Sequence, residues 1–388
     1  MSPTAISQLI EALGKLFLGV FFAKLALNAG YGLPIASAWA IAGLGVGTLL
    51  SSLYLLILKL ADDRKNKDTS SVSHEEYKEK NTFLTLFKIA VPITLSSAVL
   101  SVTRIIDMTL IMRRLQDIGY STAGANAVYG SYTTLALPVF SLVPSLITPV
   151  ALALVPRLSA AIERRSSDGQ SEVAESSLRI TTFFAIPASM GVAVYSRQIL
   201  ELLFPKESEA IAVASPLLAL LGISILFACL ITTTNAVLQS YRQTVKPIIS
   251  MGVGALVKVV SAYILIGMPS VGVYGAPIST LLCNLTVTAI NLYFMNKHVP
   301  RICGVFKVYI KPFAVSCVMI VLSFAVYLSI TYYLENTVIA FVVAMLAALI
   351  AYFAFSLLFG AVSEEDINML PMGAKISLII KKLGFKIS

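Results

Sequence analysis

The chain is a succession of apolar stretches, most of them long enough to cross a hydrocarbon core of about 30 Å, and the basic residues between them fall in alternate connections. In lipid every backbone N–H and C=O must find its partner within the segment or in a closed barrel. The stretches lack the dyad alternation and turn signals of barrel strands, which leaves helices. Ten spans are expected, at 6–27, 34–60, 83–112, 128–154, 180–195, 216–238, 247–267, 277–295, 313–333 and 338–362. Composition agrees. Hydrophobic residues make up 57% of the chain and charged residues 13%, where a soluble domain carries about 25% charged residues. The expected class is an all-α polytopic membrane protein.

The sidedness follows from lysine and arginine. Arg64, Lys65, Lys67, Lys78 and Lys80 follow the second span, and Arg157, Arg164, Arg165 and Arg179 the fourth. Arg242 and Lys246 follow the sixth, Lys297, Arg301, Lys307 and Lys311 the eighth, and Lys375, Lys381, Lys382 and Lys386 lie in the tail. The remaining connections are poor in basic residues: three have none, one holds Arg113 and Arg114, and one holds Arg197 and Lys206. This alternation places both termini in the cytoplasm. It also accounts for the net charge of +9 without a nucleic-acid partner. Cys229, Cys283, Cys303 and Cys317 are scattered, and His74 and His298 sit in polar loops, so neither a metal site nor a cofactor is expected. No Walker A, G-x-S-x-G or H-E-x-x-H sequence occurs, and an enzyme is not expected.

The chain also repeats itself. Tyr274-Gly275-Ala276-Pro277-Ile278-Ser279 matches Tyr31-Gly32-Leu33-Pro34-Ile35-Ala36 at an offset of 243 residues, and the same offset carries Lys258 onto Lys15. The flanks agree, Ala12-Leu13-x-Lys15 against Ala255-Leu256-x-Lys258. A lysine within a membrane helix costs roughly 2.5–3.5 kcal/mol on insertion scales, so two in register point to an internal repeat. By the sidedness above both copies run in the same direction, as two parallel bundles. About four spans precede the second copy and none precedes the first in this sequence; with a six-helix unit, the expectation is that the first four helices of the first bundle are missing. The expected organisation is 1–60, the last two helices of that bundle; 61–81, a cytoplasmic loop; 82–298, a six-helix bundle; 299–362, two further helices; and 363–388, a tail. In the tail Ile376, Ile379, Ile380 and Leu383 alternate with lysines at helical spacing, the pattern of a basic amphipathic helix that lies on anionic lipid.

Charged and amide residues inside spans mark candidate sites. Arg104 and Asp107, three apart, share one helix face: either an anion-binding arginine held by Asp107, or a self-neutralising pair that locks the helix to a neighbour. Glu11 and Lys15, four apart, share another, and Lys258 stands alone in its span. Lys15 and Lys258, at matching places in the two bundles, would line a central cleft suited to an anionic substrate, or else snorkel to the inner surface. Asn235 and Gln239, ending one span, and Asn284 and Asn291 in another are interhelical glue or substrate contacts. Pro138, Pro144 and Pro149 within one span suit helices that bend.

The order and spacing of further segments resemble a known family: Lys88-Ile89-Ala90-Val91-Pro92-Ile93-Thr94-Leu95 with Asp107 beyond it, Leu202-Leu203-Phe204-Pro205, Val271 to Thr280, and Ser363 to Pro371. Over nearly its full length the chain resembles the multidrug/oligosaccharidyl-lipid/polysaccharide exporter superfamily, in its polysaccharide-export branch, closest to the stage V sporulation protein B group and related lipid II flippases. The resemblance implies a two-bundle fold of six, six and two helices, of which ten are expected here. It implies alternating access that moves an undecaprenyl-diphosphate-linked glycan precursor, for peptidoglycan or polysaccharide and the spore cortex among them, across a bacterial cell membrane. Cationic cleft residues, Arg104 first, would then meet the diphosphate. The superfamily's drug/cation antiporters are the alternative, less suited because the interior is richer in cations than in acids. A non-transporting fragment with an assembly role is the other.

Overall fold

The computed structural model describes residues 2–66, 105–164, 167–299, 306–334 and 337–360. Among them there is no strand. The helices are α1 (Ser2–Asn28), α2 (Leu33–Asn66), α3 (residues 105–117), α4 (Thr122–Ser131), α5 (Leu137–Glu163), α6 (Ser167–Val194), α7 (Ser196–Leu203), α8 (Ser208–Ser240), α9 (Val245–Ile266), α10 (Gly275–His298), α11 (Lys311–Leu334) and α12 (Thr337–Leu358). A π turn at Tyr132–Ala136 joins α4 to α5, and another at Phe306–Ile310 leads into α11. Eight helical segments among the described residues are long and apolar enough to cross a membrane. This is a multi-pass membrane protein.

The chain divides into two units, within 1–93 and within 94–388. The described part of the first is the α1–α2 hairpin. Its two helices approach closely because glycines face the partner backbone: a Cβ on Gly47 would stand 2.7 Å from the Lys15 amide nitrogen, and one on Gly43 2.5 Å from the Leu18 carbonyl oxygen. Ser51 Oγ donates to the Ser7 carbonyl across the pair at 3.0 Å. With little hydrophobic drive between helices in lipid, such close backbone packing is what holds them.

The second unit is built around α8, which packs against α4, α5, α6, α7, α9 and α10. Along it the core runs from Leu217, Leu218 and Leu221 near one end, through Ile225 and Cys229, to Leu230 and Val237 near the other. Gly222 lets α6 come near, since a Cβ there would meet the Ala193 nitrogen at 2.7 Å, and Ser189 Oγ donates to the Gly222 carbonyl at 2.8 Å. The α11–α12 pair rests on α6, where Tyr352 donates its phenol to the Phe183 carbonyl at 2.6 Å.

The helices outrun the expected spans. Residues 155–179 were expected to open as a polar loop; instead α5 continues to Glu163 and α6 starts at Ser167. The reason is amphipathicity. Leu158, Ala174 and Leu178 are buried in one cluster with Ile162 and Val173 against it, while Arg157 and Arg164 face outward. A hydropathy window averages that stripe away. Likewise α2 runs to Asn66, into the segment expected to be a loop from 61, and α4, the π turn and α5 make one continuous helical segment from Thr122 where a start at 128 was expected. The expected tail helix, with its anionic-lipid contact, lies outside the described residues.

Among the described residues, helix ends use one device three times. After α1, Tyr31 N donates to Ala26 O and Gly30 N to Leu27 O; after α3, Tyr120 N to Leu115 O and Gly119 N to Gln116 O; after α8, Gln243 N to Leu238 O and Arg242 N to Gln239 O. These are Schellman motifs, whose penultimate residue takes a left-handed conformation that favours glycine. Gly30 and Gly119 conform; the third position is Arg242, at φ 57°. Arg242→Gly is therefore expected to leave stability unchanged or improve it, whereas β-branched Arg242→Val should lower it by about 1–2 kcal/mol. Reversible unfolding in detergent micelles distinguishes the pair, and equal losses from both would refute the strain.

Candidate functional site

The two repeat-related lysines both sit on helical hairpins whose elements match at the 243-residue offset: α1 and α2 in one copy, α9 and α10 in the other. Each lysine has a carboxylate. Lys15 Nζ donates to Glu11 Oε1 at 2.6 Å, one turn back on its own helix, and both side chains are partly exposed. Lys258 instead reaches off its helix: its Nζ donates to Asp107 Oδ2 on α3, and the two side chains are 23% and 21% exposed. The residue one turn before Lys258, in the place of Glu11, is Gly254, against whose α-carbon Val287 of α10 packs closely. Without an acid on its own helix, Lys258 takes one from a neighbour.

Among the described residues Asp107 pairs with Lys258; Arg104, with which it was expected to share a helix face, lies outside them. Lys15 and Lys258 are thus each paired with a carboxylate. The i,i+3 and i,i+4 rules see only partners on the same helix, so they found Glu11–Lys15 and missed a pair 151 residues apart.

Around the pair lie groups that sequence reasoning passed over. Tyr132, in the π turn, is buried with its phenol beside the Thr280 hydroxyl, and it and Tyr129 lie within electrostatic reach of Asp107. Cys283 of α10 feels both charges. A π turn widens a helix by one residue per turn and often sits at functional sites. Its signal in sequence is faint, because Tyr132-Thr133-Thr134-Leu135-Ala136 is ordinary helix-compatible sequence. Farther along α3, Arg114 Nε donates to the Tyr263 carbonyl of α9 at 3.1 Å, its guanidinium stands 4.2 Å from the Tyr263 ring centre, and Nη1 donates to Asp117 at 2.9 Å.

The amide candidates divide. Asn291 is fully buried and donates to Asn235 Oδ1 at 2.8 Å and to Thr234 Oγ1 at 3.1 Å, which ties α10 to α8. Asn284 donates to Ser224 at 2.9 Å on the same seam. Asn235 is thus engaged between helices, while Gln239 is exposed at the end of α8. Just past that end Tyr241 donates to Gln170 Oε1 at 3.0 Å, and burial pushes its phenol above the ordinary tyrosine value. Cys229, Cys283 and Cys317 are free thiols, and no group of three potential metal ligands occurs among the described residues.

The model of the lipid II flippase MurJ family matches residues 15–353 of the chain. Stage V sporulation protein B of Bacillus subtilis (strain 168) is 24% identical over 384 residues, which is 96% of this chain and 70% of that protein. The uncharacterized membrane protein YabM of the same organism is 25% identical over 387 residues, 98% of this chain and 71% of that one. A solved structure of the lipid II flippase MurJ, in an inward closed conformation, superposes with a TM-score of 0.63 at 18% identity, over 92% of this chain and 67% of that one. That likeness is one of fold.

Proposed function

The chain belongs to the lipid II flippase MurJ family, a family of transporters rather than enzymes, and we propose that it moves an undecaprenyl-diphosphate-linked glycan precursor across the bacterial cell membrane by alternating access. The observation that carries the reading onto particular residues is the Asp107–Lys258 pair. A paired lysine is close to neutral to its surroundings and tolerable in a membrane. A diphosphate brings more negative charge than one carboxylate, so it can compete for the ammonium. Lys258 would exchange Asp107 for the precursor's diphosphate and return to Asp107 on release. Lys15, with Glu11 within its own helix, would offer a second such exchange. The basic connections support an orientation with both termini cytoplasmic, and the stage V sporulation relative supports the spore cortex as one destination.

The test is reconstitution of the full chain in liposomes that carry a fluorescent undecaprenyl-diphosphate glycan, with a membrane-impermeant quencher added outside. The expected result is a transbilayer equilibration faster than in protein-free liposomes; identical rates would overturn the reading. A second reading, cation-coupled antiport, draws on Asp107 as the acid. It requires drug efflux by the chain and no effect on the glycan probe.

A further inference from the structure

Helix α7 lies in the connection between two helices long and apolar enough to cross a membrane, α6 and α8. Its eight residues rise about 12 Å, too little to cross a hydrocarbon core of about 30 Å. Its sides differ in kind. Leu200 is fully buried in one cluster with Leu217 and Leu218 of α8. Arg197 and Glu201, one turn apart, share an exposed flank and pair at 2.8 Å. On another side Leu202 and Leu203 are 43% and 50% exposed. Which medium these leucines meet depends on their depth.

Helix α11 supplies the scale. Tyr332 and Tyr333, near its end, are 82% and 81% exposed, and tyrosines gather at the membrane–water interface. Lys311 opens the same helix, and its ammonium donates to the Phe359 and Gly360 carbonyls at the end of α12. From Lys311 to Tyr332 is twenty-one residues, about 32 Å of helix, which matches one hydrocarbon core. Two side chains fix α7 against this scale. Tyr195, the residue before α7, shares a hydrogen bond with the Ser323 hydroxyl at 2.7 Å, and Gln198 donates to the Tyr327 phenol at 3.4 Å. Ser323 is nine residues short of Tyr332, about 14 Å. Even running straight along α11, α7 would end no higher than Tyr332. The first charges beyond it, Lys206, Glu207 and Glu209, are all exposed.

We propose that α7 is a membrane-interface helix whose partner is the phospholipid leaflet on the side where α11 ends: Leu202 and Leu203 rest among acyl chains, and Arg197 reaches up to a headgroup phosphate. Apolar contact and a snorkelling cation are the two elements of such helices. Glu201 takes the Arg197 Nε proton, which lowers the cost of a guanidinium below the interface and leaves its outer edge for phosphate. The joint between α6 and α8 is then held at the membrane boundary by lipid on one side and by Tyr195 and Gln198 on the other. The contact is with the membrane itself and stands whichever lipid-linked cargo the chain carries.

The experiment uses the full chain, with Cys229, Cys283, Cys303 and Cys317 replaced by serine, in liposomes of phosphatidylcholine and phosphatidylglycerol. Leu202→Cys, Leu203→Cys, Leu328→Cys and Glu207→Cys each carry one spin label. Power saturation compares collisions with oxygen, which favours acyl chains, and with a water-soluble nickel chelate. Leu328, exposed and four residues short of Tyr332, marks the acyl layer, and Glu207 marks water. The labels at 202 and 203 should give an oxygen-to-nickel ratio close to that at 328 and well above that at 207. A ratio equal to that at 207 would put α7 in water and overturn the proposal. Few collisions with either agent would show protein on that face, a second copy included, and would overturn it as well. Arg197→Glu, which sets a second carboxylate beside Glu201, should shift the label at 202 toward water, whereas Arg197→Lys should leave its depth unchanged. An unmoved label in Arg197→Glu would overturn the phosphate contact.

Discussion

Lys258→Ala is expected to abolish precursor translocation and to destabilise the protein by about 3 kcal/mol, toward the lower end for a broken buried pair because the carboxylate it strands is partly accessible. The loss should fall on Asp107. Without the ammonium, Asp107 carries an unpaired charge at a membrane helix, which loosens α3 from α9. Three further variants separate stability from transport. Asp107→Asn with Lys258→Gln removes both charges and should regain most of the stability, since a pair removed together leaves nothing stranded. The exchanged pair, Asp107→Lys with Lys258→Asp, should also be stable, yet it moves the cation from α9 to α3 and should not transport. Lys15→Ala should cost only about 0.5 kcal/mol, because Glu11–Lys15 is an exposed pair one turn apart. Equilibrium unfolding in micelles beside the liposome assay gives both readouts. Transport by the exchanged pair would show that the contact matters only as a strap and that Lys258 meets no diphosphate.

What could be read from the sequence follows how far each signal travels along the chain. The helices and the family are local, written in apolar runs and in segments such as Val271 to Thr280, and they were legible. So was Glu11–Lys15, because both members lie on one turn. The Asp107–Lys258 pair was not, because nothing in residues 101–110 says which helix lies alongside. A partial signal existed: Lys258 has no acid on its own helix, and a lysine in a membrane requires one from elsewhere. The same limit produced the expected loop at 155–179, where Leu158, Ala174 and Leu178 become a core stripe only once α5 and α6 are placed side by side. The π turn at Tyr132 was out of reach for another reason: it is set by what the helix packs against and not by its own residues.

The α1–α2 hairpin yields the other large effect, with an internal control. Gly43 and Gly47 are one turn apart on the face of α2 toward α1, and Gly45 lies between them on the other side. An added Cβ at Gly43 would come within 2.5 Å of the Leu18 carbonyl oxygen and 2.7 Å of its carbon, and one at Gly47 within 2.7 Å of the Lys15 nitrogen. Those are backbone atoms, which cannot turn aside as a side chain can. At Gly45 nothing lies within 4 Å. Gly43→Ala and Gly47→Ala should therefore each cost about 1–3 kcal/mol of hairpin stability by overpacking, and the double change to leucine should part the helices and break the bond from Ser51 to the Ser7 carbonyl. Gly45→Ala should instead gain up to about 1 kcal/mol, the helix propensity of alanine over glycine. Forced-unfolding measurements in bicelles rank the three. If Gly43→Ala proved as stable as Gly45→Ala, close backbone approach would not be what holds the hairpin. If the order holds, Gly47 also fixes the backbone of Lys15, so the setting of the Glu11–Lys15 pair depends on a glycine of the neighbouring helix.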